Sequence, residues 1–451
     1  MSEATVSGTR SAEKIREAEG APRPILTVAD GTAIIVGIVI GSAIFETPGL
    51  VAANTGSPAM LFTAWTLGAV VSVIGALCYA ELASAYPDAG GDYHYLHRAF
   101  GPNLSFLYGW ARMTVIQTGS IALIAFVFGD YASQIYSFGG YSAAMYAAAA
   151  VIVLTLIHLA GIHSSRQGQR WITAAQMIGL FLLIAAGALV GGSDPATPIA
   201  TADTSRASFG LAMVFVLLTY GGWNEAAFVS AELKNPRRDV LRVLLLSIGI
   251  IAATYLLFNA VVLYRLGFDG MVRSEAVAAS VMRLVAGERG AILVSLLVVA
   301  CALASIHAMI FTGARTSYAL GRDFPLLGGL GRWRAGGSVP ANALIVQAAI
   351  IALLITFGAA TRKGFQTMVD YSAPVFWLFF LLTTLSLIRL RRKDPSPRPF
   401  AVPLYPVTPI VFAVICAYML YSSIMYTGFG STVGLAVVAT GIPVLLLSRR
   451  K

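Results

Sequence analysis

Charge is scarce in this sequence. Only 12% of its 451 residues are Asp, Glu, Lys or Arg, about half the share of an ordinary soluble domain. No polar stretch between the apolar ones is long enough to fold alone, so the prior of about three soluble domains from length fails. Cysteine is nearly missing: Cys78, Cys301 and Cys416 each lie within an apolar stretch, where small buried thiols are ordinary, and no disulfide-linked partner is implied. There is no cluster of metal-ligand residues, no nucleophile–base set and no filter-like repeat. Their absence argues against a metal site, a cofactor, an enzyme and a channel. Residues 1–24 are polar and lack an apolar core. No cleavable leader is expected, and the first apolar stretch should remain as a permanent helix.

What the chain has is hydrophobicity, 57% of its residues. Stretches such as 171–190 and 404–423 carry no charge at all. About 20 apolar residues at a rise of 1.5 Å cross the roughly 30 Å hydrocarbon core of a bilayer. Twelve spans are expected, at 28–53, 58–86, 103–136, 141–161, 169–191, 207–231, 240–266, 288–320, 340–358, 366–391, 401–423 and 429–447. Several are longer than the bilayer requires, which implies tilt, a break or extension into water. The outer connection at 267–287 and the inner one at 321–340 each have room for a short surface helix.

The net charge of +10 raises nucleic acid as a partner, but the distribution of charge points elsewhere. With the N-terminus inside, 23 of the 31 Lys and Arg fall in inner segments and 7 in outer ones, and Arg112 lies within a span. This positive-inside bias places both termini in the cytoplasm of a multi-pass protein of the cytoplasmic (inner) membrane. The partner is then the lipid bilayer.

Two spans are interrupted. The first contains GIVIGSAIFETPGL (Gly37 to Leu50), where Gly41, Ser42 and Ala43 are small and Pro48 suits the first turn of a new half-helix. The sixth contains FVLLTYGGWNEAAFVSAEL (Phe215 to Leu233), with Gly221 and Gly222 at its middle. Two adjacent glycines cost about 2 kcal/mol of helix propensity and favour a local opening. Interruptions at matching places in two halves of a chain point to a transporter site. Open backbone within a bilayer must line a cavity or be buried in protein. Its free N–H groups suit a carboxylate and its free carbonyls suit an ammonium, so the pair suits an amino acid zwitterion. Close helix packing is the plainer use of such glycines, since Gly37 and Gly41 also have the spacing of a packing motif.

Six stretches carry a resemblance: GSAIFETPG (Gly41–Gly49), CYAELASAYPDAGGDYHYLHRAFG (Cys78–Gly101), YGGWN (Tyr220–Asn224) with ELKNPRRD (Glu232–Asp239), and FTGARTSYALGRDFP (Phe311–Pro325) with VPANAL (Val339–Leu344). The chain resembles the amino acid–polyamine–organocation permeases over nearly all its length after residue 25, most of all the branch of L-type amino acid transporters and serine/threonine exchangers. The resemblance implies an all-α membrane protein of the leucine-transporter type, two inverted repeats of five helices plus two more. The divisions are a cytoplasmic tail at 1–24, a first repeat at 25–200, a second at 201–395, and two last helices with a short tail at 396–451. It implies that Gly41, Ser42 and Ala43 bind the substrate carboxylate and that carbonyls of Leu218, Thr219 and Gly221 meet the amine. Trp223 and Asn224 would support the unwound segment. Three positions depart from the family's habit. Ala43 stands where a glycine is usual, and its methyl is expected to narrow the site or stiffen the break. Leu218 stands where many relatives place an aromatic gate. Gln176 stands where a lysine usually ties the fifth span to the first break, and an amide donates a hydrogen bond without titrating.

Ionisable groups within spans are functional candidates by default. Arg112 is expected to snorkel toward the inner surface. Glu81 and Glu232 are expected to pair with nearby arginines. His158 and His307 are open to proton relay, though packing is the commoner role. Glu46 has two readings: gating or selecting cationic substrates in the outer vestibule, or capping the half-helix that begins near Thr47. Glu225 is open to the same capping role. The sequence therefore reads as a secondary transporter of small neutral L-amino acids working by alternating access, as a uniporter or an exchanger. A polyamine or cationic amino acid carrier and an amino-acid-binding sensor without turnover are the alternatives.

Overall fold

The computed structural model describes residues 25–88, 90–161, 166–190, 208–332 and 340–448, and of Ser42 and residues 166–173 the backbone alone. The expected tail at 1–24 and the expected boundary between repeats at 200 lie outside these residues. Among the described residues helices follow one another without a strand. α1 (Val28–Val39) opens on a reciprocal cap: the Thr27 hydroxyl accepts from the Asp30 N–H and the Asp30 carboxylate accepts from the Thr27 N–H. A 3-10 turn (Ser42–Phe45) separates it from α2 (Thr47–Thr55), which ends on Gly56 in the left-handed conformation. α3 (Pro58–Ala85) begins with Ser57 capping the Met60 N–H and proline in the first turn. The short α4 (Asp92–Phe100) precedes α5 (Pro102–Ala111), which runs through a π turn at Arg112–Ile116 into α6 (Gln117–Ile135).

α7 (Ser142–Leu159), α8 (Arg166–Leu189) and α9 (Phe209–Tyr220) follow, then α10 (Ala226–Val229) and the long α11 (Pro236–Arg273) and α12 (Val277–Asp323). α13 (Ala341–Thr361), α14 (Gly364–Lys393), α15 (Val407–Tyr426), α16 (Phe429–Ala439) and α17 (Gly441–Ser448) complete the chain. Among the described residues ten helical runs are long and apolar enough to cross a membrane, and Val28–Val39 and Ala174–Leu189 are shorter apolar helices. The first expected span falls short for a physical reason. Its backbone leaves the helix after Val39, which cuts it into pieces of 12 and 9 residues.

The exterior is apolar where a soluble protein would be polar: Leu189, Leu353 and Leu293 are 82%, 72% and 68% exposed. Such a belt suits lipid. Inside, helices approach closely at small residues, as membrane packing requires. A Cβ on Gly68 would strike Val216 and Tyr220, and one on Gly358 would lie 2.6 Å from the Phe126 ring. α11 and α12 each bend at a glycine of positive φ, Gly267 (66°) and Gly287 (67°). The residues between them are not a surface helix. Val277, Ala278, Ala279 and Val281 are fully buried, and a Cβ on Gly49 of α2 would sit 2.9 Å from the Met271 carbonyl. At the opposite end, the chain ahead of α1 pairs with the chain after α10: the Leu26 N–H donates to the Glu232 carbonyl at 2.9 Å, and the Lys234 N–H donates to the Leu26 carbonyl at 2.9 Å.

Candidate substrate site at two broken helices

α1 stops at Val39, where Ile40 leaves helical geometry (φ −74°, ψ 65°) and Gly41 is extended (φ −91°, ψ −165°), and no side chain caps the 3-10 turn that follows. The N–H groups opening that turn have no partner within it. α9 stops at Tyr220, where Gly221 is extended (φ −57°, ψ 157°) and Gly222 is left-handed at φ 105°. Only Gly222 needs to be glycine for its backbone angle. It also faces the other break: a Cβ there would sit 3.2 Å from the side chains of Ile38 and Val39.

Five side chains hold the two openings. The Thr219 hydroxyl donates to the Thr47 hydroxyl at 2.8 Å, with the Phe215 carbonyl a competing acceptor at the same distance, and Thr47 donates to the Ala43 carbonyl at 2.6 Å. The Tyr255 hydroxyl lies 2.8 Å from the Val39 carbonyl and 3.1 Å from the Thr219 carbonyl. Its single proton thus serves one break or the other. The Gln176 amide donates to the Ile40 carbonyl. Tyr131 donates to the Phe45 carbonyl at 3.0 Å and accepts from the Ala278 N–H at 3.3 Å. Trp65, Tyr220 and Tyr255 back the breaks as a buried aromatic trio, with centroids 5.1 to 5.9 Å apart. Of the carbonyls assigned to the amine, that of Leu218 accepts from the Gly221 N–H at 3.0 Å and that of Thr219 faces Tyr255, so each has one lone pair engaged. The Leu218 and Ala43 side chains are half-buried beside them.

Trp223 is buried, stacked on Phe380 (5.8 Å, 21°) and edge-on to Tyr79 (5.2 Å). It wedges the second break against α3 and α14. Asn224, also buried, lines a cavity of about 30 Å³ with Tyr79, Asp92, Tyr108, Arg112 and Glu225, which holds about two waters and no amino acid. Arg112 does not snorkel. It is nearly buried, 3.5 Å from Glu225, hydrogen-bonded to the Tyr108 hydroxyl at 3.2 Å and stacked on Phe228 at 4.5 Å. Arg112 opens the π turn that follows α5, and its partner Glu225 lies beside the second break. Glu225 accordingly caps nothing: no side-chain bond closes the start of α10. Burial pushes the Asp92 carboxyl up to about 6, against the pull of the Arg112 charge and the Tyr108 hydroxyl.

Glu46 makes no cap bond to α2 either, and its Oε1 is buried without a partner. Glu81, fully buried, pairs bidentately with Arg391 at 2.6 Å and accepts from the Val402 N–H at 2.7 Å. Glu232, by contrast, forms no ion pair among the described residues; its backbone carbonyl makes the contact with Leu26 instead. His158 and His307 are not separate packing residues. Their rings stack with centroids 4.3 Å apart.

Sequence reasoning missed Tyr255, Tyr131 and Thr47, which hold the breaks. The available signal was a hydroxyl inside an otherwise apolar span, since a buried Tyr needs a partner for its O–H.

A multi-pass helical membrane protein with two helices opened against each other is the class that this fold and site define. Residues 26–447 match the family model described as amino acid permease, and the chain belongs to that family, within the amino acid–polyamine–organocation permeases. It is 29% identical over 409 residues to b(0,+)-type amino acid transporter 1 of Mus musculus, covering 88% of this chain and 81% of that protein. To the cystine/glutamate transporter of Homo sapiens it is 27% identical over 431 residues, 94% of this chain and 84% of the relative. To large neutral amino acids transporter small subunit 2 of Rattus norvegicus it is 28% identical over 428 residues, 92% and 78% of the two chains.

Proposed function

We propose that this chain is a secondary transporter of small neutral L-amino acids that works by alternating access, as a uniporter or an exchanger. The observation that carries the reading is the face-to-face opening of two helices, with Gly222 of one against Ile38 and Val39 of the other. In this reading the backbone N–H groups of Ser42 and Ala43 take the carboxylate, joined by that of Gly41 once it leaves the Val39 carbonyl to which it donates at 2.7 Å. The carbonyls of Leu218, Thr219 and Gly221 take the amine once Tyr255 shifts its proton to Val39. Gln176 holds the first break open through Ile40, and Trp223 and Asn224 brace the second. The three relatives bear names of amino acid transporters, which supports an amino acid as the cargo.

The same reading takes twelve spans, with α1 and α2 together as the first and α8 as the fifth. It divides them into five-helix repeats at 25–200 and 201–395 with two last helices at 396–451, and puts both termini in the cytoplasm. Uptake of labelled L-alanine, L-serine and L-leucine into proteoliposomes, with and without internal amino acid, tests it. Uptake without internal substrate identifies a uniporter, and uptake only with it identifies an exchanger. Saturable binding without uptake in either case overturns transport in favour of a sensor.

A further inference from the structure

Five cations gather at the C-terminal end of α14. Arg389 and Lys393 lie one turn apart on one face of that helix, and both reach the end of α4. Arg389 sits over the Phe100 ring at 5.2 Å, and Lys393 donates to the Arg98 carbonyl at 3.3 Å. The Tyr86 ring carries two more guanidiniums, those of Arg98 at 4.4 Å and Arg398 at 5.1 Å. Arg392 is the fifth, and it is exposed, as are Arg98, Arg389 and Lys393. The carboxylates at hand are engaged elsewhere. Glu81 is taken by Arg391 at 2.6 Å, and Asp394 accepts from the Tyr86 hydroxyl at 2.9 Å and the Ser396 N–H at 3.1 Å. Among the described residues none of the five cations forms an ion pair.

Like charges one helical turn apart repel, yet stacking on Tyr86 and Phe100 and the bond to the Arg98 carbonyl hold these groups in place instead of letting them spread into water. Fixed guanidiniums that share no carboxylate suit a phosphate, which each can meet through two parallel N–H bonds. What flanks the cluster says where the phosphate comes from. The connection that carries Arg398 runs on to α15, and Arg391 stacks on its Tyr405 at 3.8 Å. Beside Tyr405, Leu404 is 79% exposed, and Val407, Ile410 and Val414 of α15 are 57%, 49% and 62% exposed, at the spacing of one helix face. This apolar strip is part of the lipid-facing belt. A free phosphate gains nothing from it, whereas a phospholipid lays its headgroup on the cations and its acyl chains along the strip.

We infer that Arg98, Arg389, Arg392, Lys393 and Arg398 form a headgroup site for an anionic phospholipid. The inference needs only that the chain is embedded in a membrane and stands whatever its cargo. Three full-length proteins in a neutral detergent test it: wild type, Arg389→Gln/Lys393→Gln, and Arg237→Gln/Arg238→Gln, which removes the same charge from another exposed basic segment. Thermal unfolding is followed with added dioctanoyl phosphatidylglycerol, dioctanoyl phosphatidylcholine or inorganic phosphate. The expected result is that saturating phosphatidylglycerol raises Tm by about 3 °C in wild type and in Arg237→Gln/Arg238→Gln. It should leave Arg389→Gln/Lys393→Gln unmoved, and the other two additives should move none of the three. Arg98→Gln, with the same loss expected, carries the test if Arg389→Gln/Lys393→Gln does not fold. No shift in wild type overturns the site. So does an equal shift with phosphatidylcholine, which would mean general solvation by lipid, or with inorganic phosphate, which would mean a free-anion site. Equal loss in both double variants overturns it too, since diffuse attraction to surface charge would then suffice.

Discussion

The Thr219 hydroxyl donates to the Thr47 hydroxyl at 2.8 Å, joining two residues that are 172 apart in the chain and both buried. Because Thr47 passes the interaction on to the Ala43 carbonyl, the opened turn of the first helix is anchored to the last turn of α9. A movement of either break is felt by the other.

That linkage predicts energetic coupling. Thr47→Val and Thr219→Val each keep the shape and remove a hydroxyl. Each single change should cost about 1 kcal/mol, and the double change markedly less than the sum, leaving a coupling of about 1 kcal/mol. Denaturant or thermal unfolding of the four proteins in detergent measures it. Strict additivity would mean that the hydrogen bond contributes nothing.

The glycines of the two breaks should behave differently. A Cβ on Gly41 meets only ordinary contacts, with the Ile38 carbonyl at 3.6 Å the nearest, so Gly41→Ala should fold normally while losing most of its thermal shift with L-amino acids. Gly222→Ala forces a methyl into a left-handed backbone and against Val39. It should destabilise by about 1–2 kcal/mol whether or not ligand is present. Gly221→Val would also damage the fold, because its Cβ would lie 2.8 Å from the Leu218 carbonyl. A wild-type ligand response in Gly41→Ala would remove Gly41 from the binding site.

Asp92 gives a pH dependence whose sign is determined. Its carboxyl ordinarily titrates near 3.8 and is raised to about 6 here by burial. The native state therefore holds the proton more tightly than the unfolded chain does. The resulting stability is full below pH 3.8 and declines as pH rises through 6, by about 3 kcal/mol once ionisation is complete. Asp92→Asn should flatten that decline in thermal scans between about pH 4.5 and 7.5. An unchanged slope would assign it to another group.

Gln176 donates to the Ile40 carbonyl, where it cannot carry a proton. Gln176→Lys places a titratable cation at that carbonyl, so uptake should acquire a pH dependence that wild type lacks. Uptake at fixed membrane potential over a range of pH reads this directly. Collapse of wild-type uptake when a pH gradient is removed would show that coupling resides elsewhere in the chain.

How much of this was legible beforehand depended on distance along the chain. Gly41-Ser42-Ala43 and Gly221-Gly222 announce two openings because backbone freedom is a local property. Which glycine turns left-handed was not legible, since that depends on how α9 meets Ile38 and Val39. Gln176 was located by resemblance to a family whose lysine it replaces. Arg112 was misread as a snorkelling residue because its partners, Glu225 and Phe228, are more than 100 residues away. Glu46 was ambiguous in the sequence, and the absence of any cap bond now argues against one of its two readings.

The pairing of Leu26 with Glu232 and Lys234 is made entirely of main-chain groups. Any residue except proline at these positions supplies the same N–H and C=O. A scan of substitutions should therefore find the segment permissive, and would pass over a place where the feet of the two broken helices are sewn together. Stitched in this way, the feet travel as a single piece, and any motion that displaces one must carry the other with it.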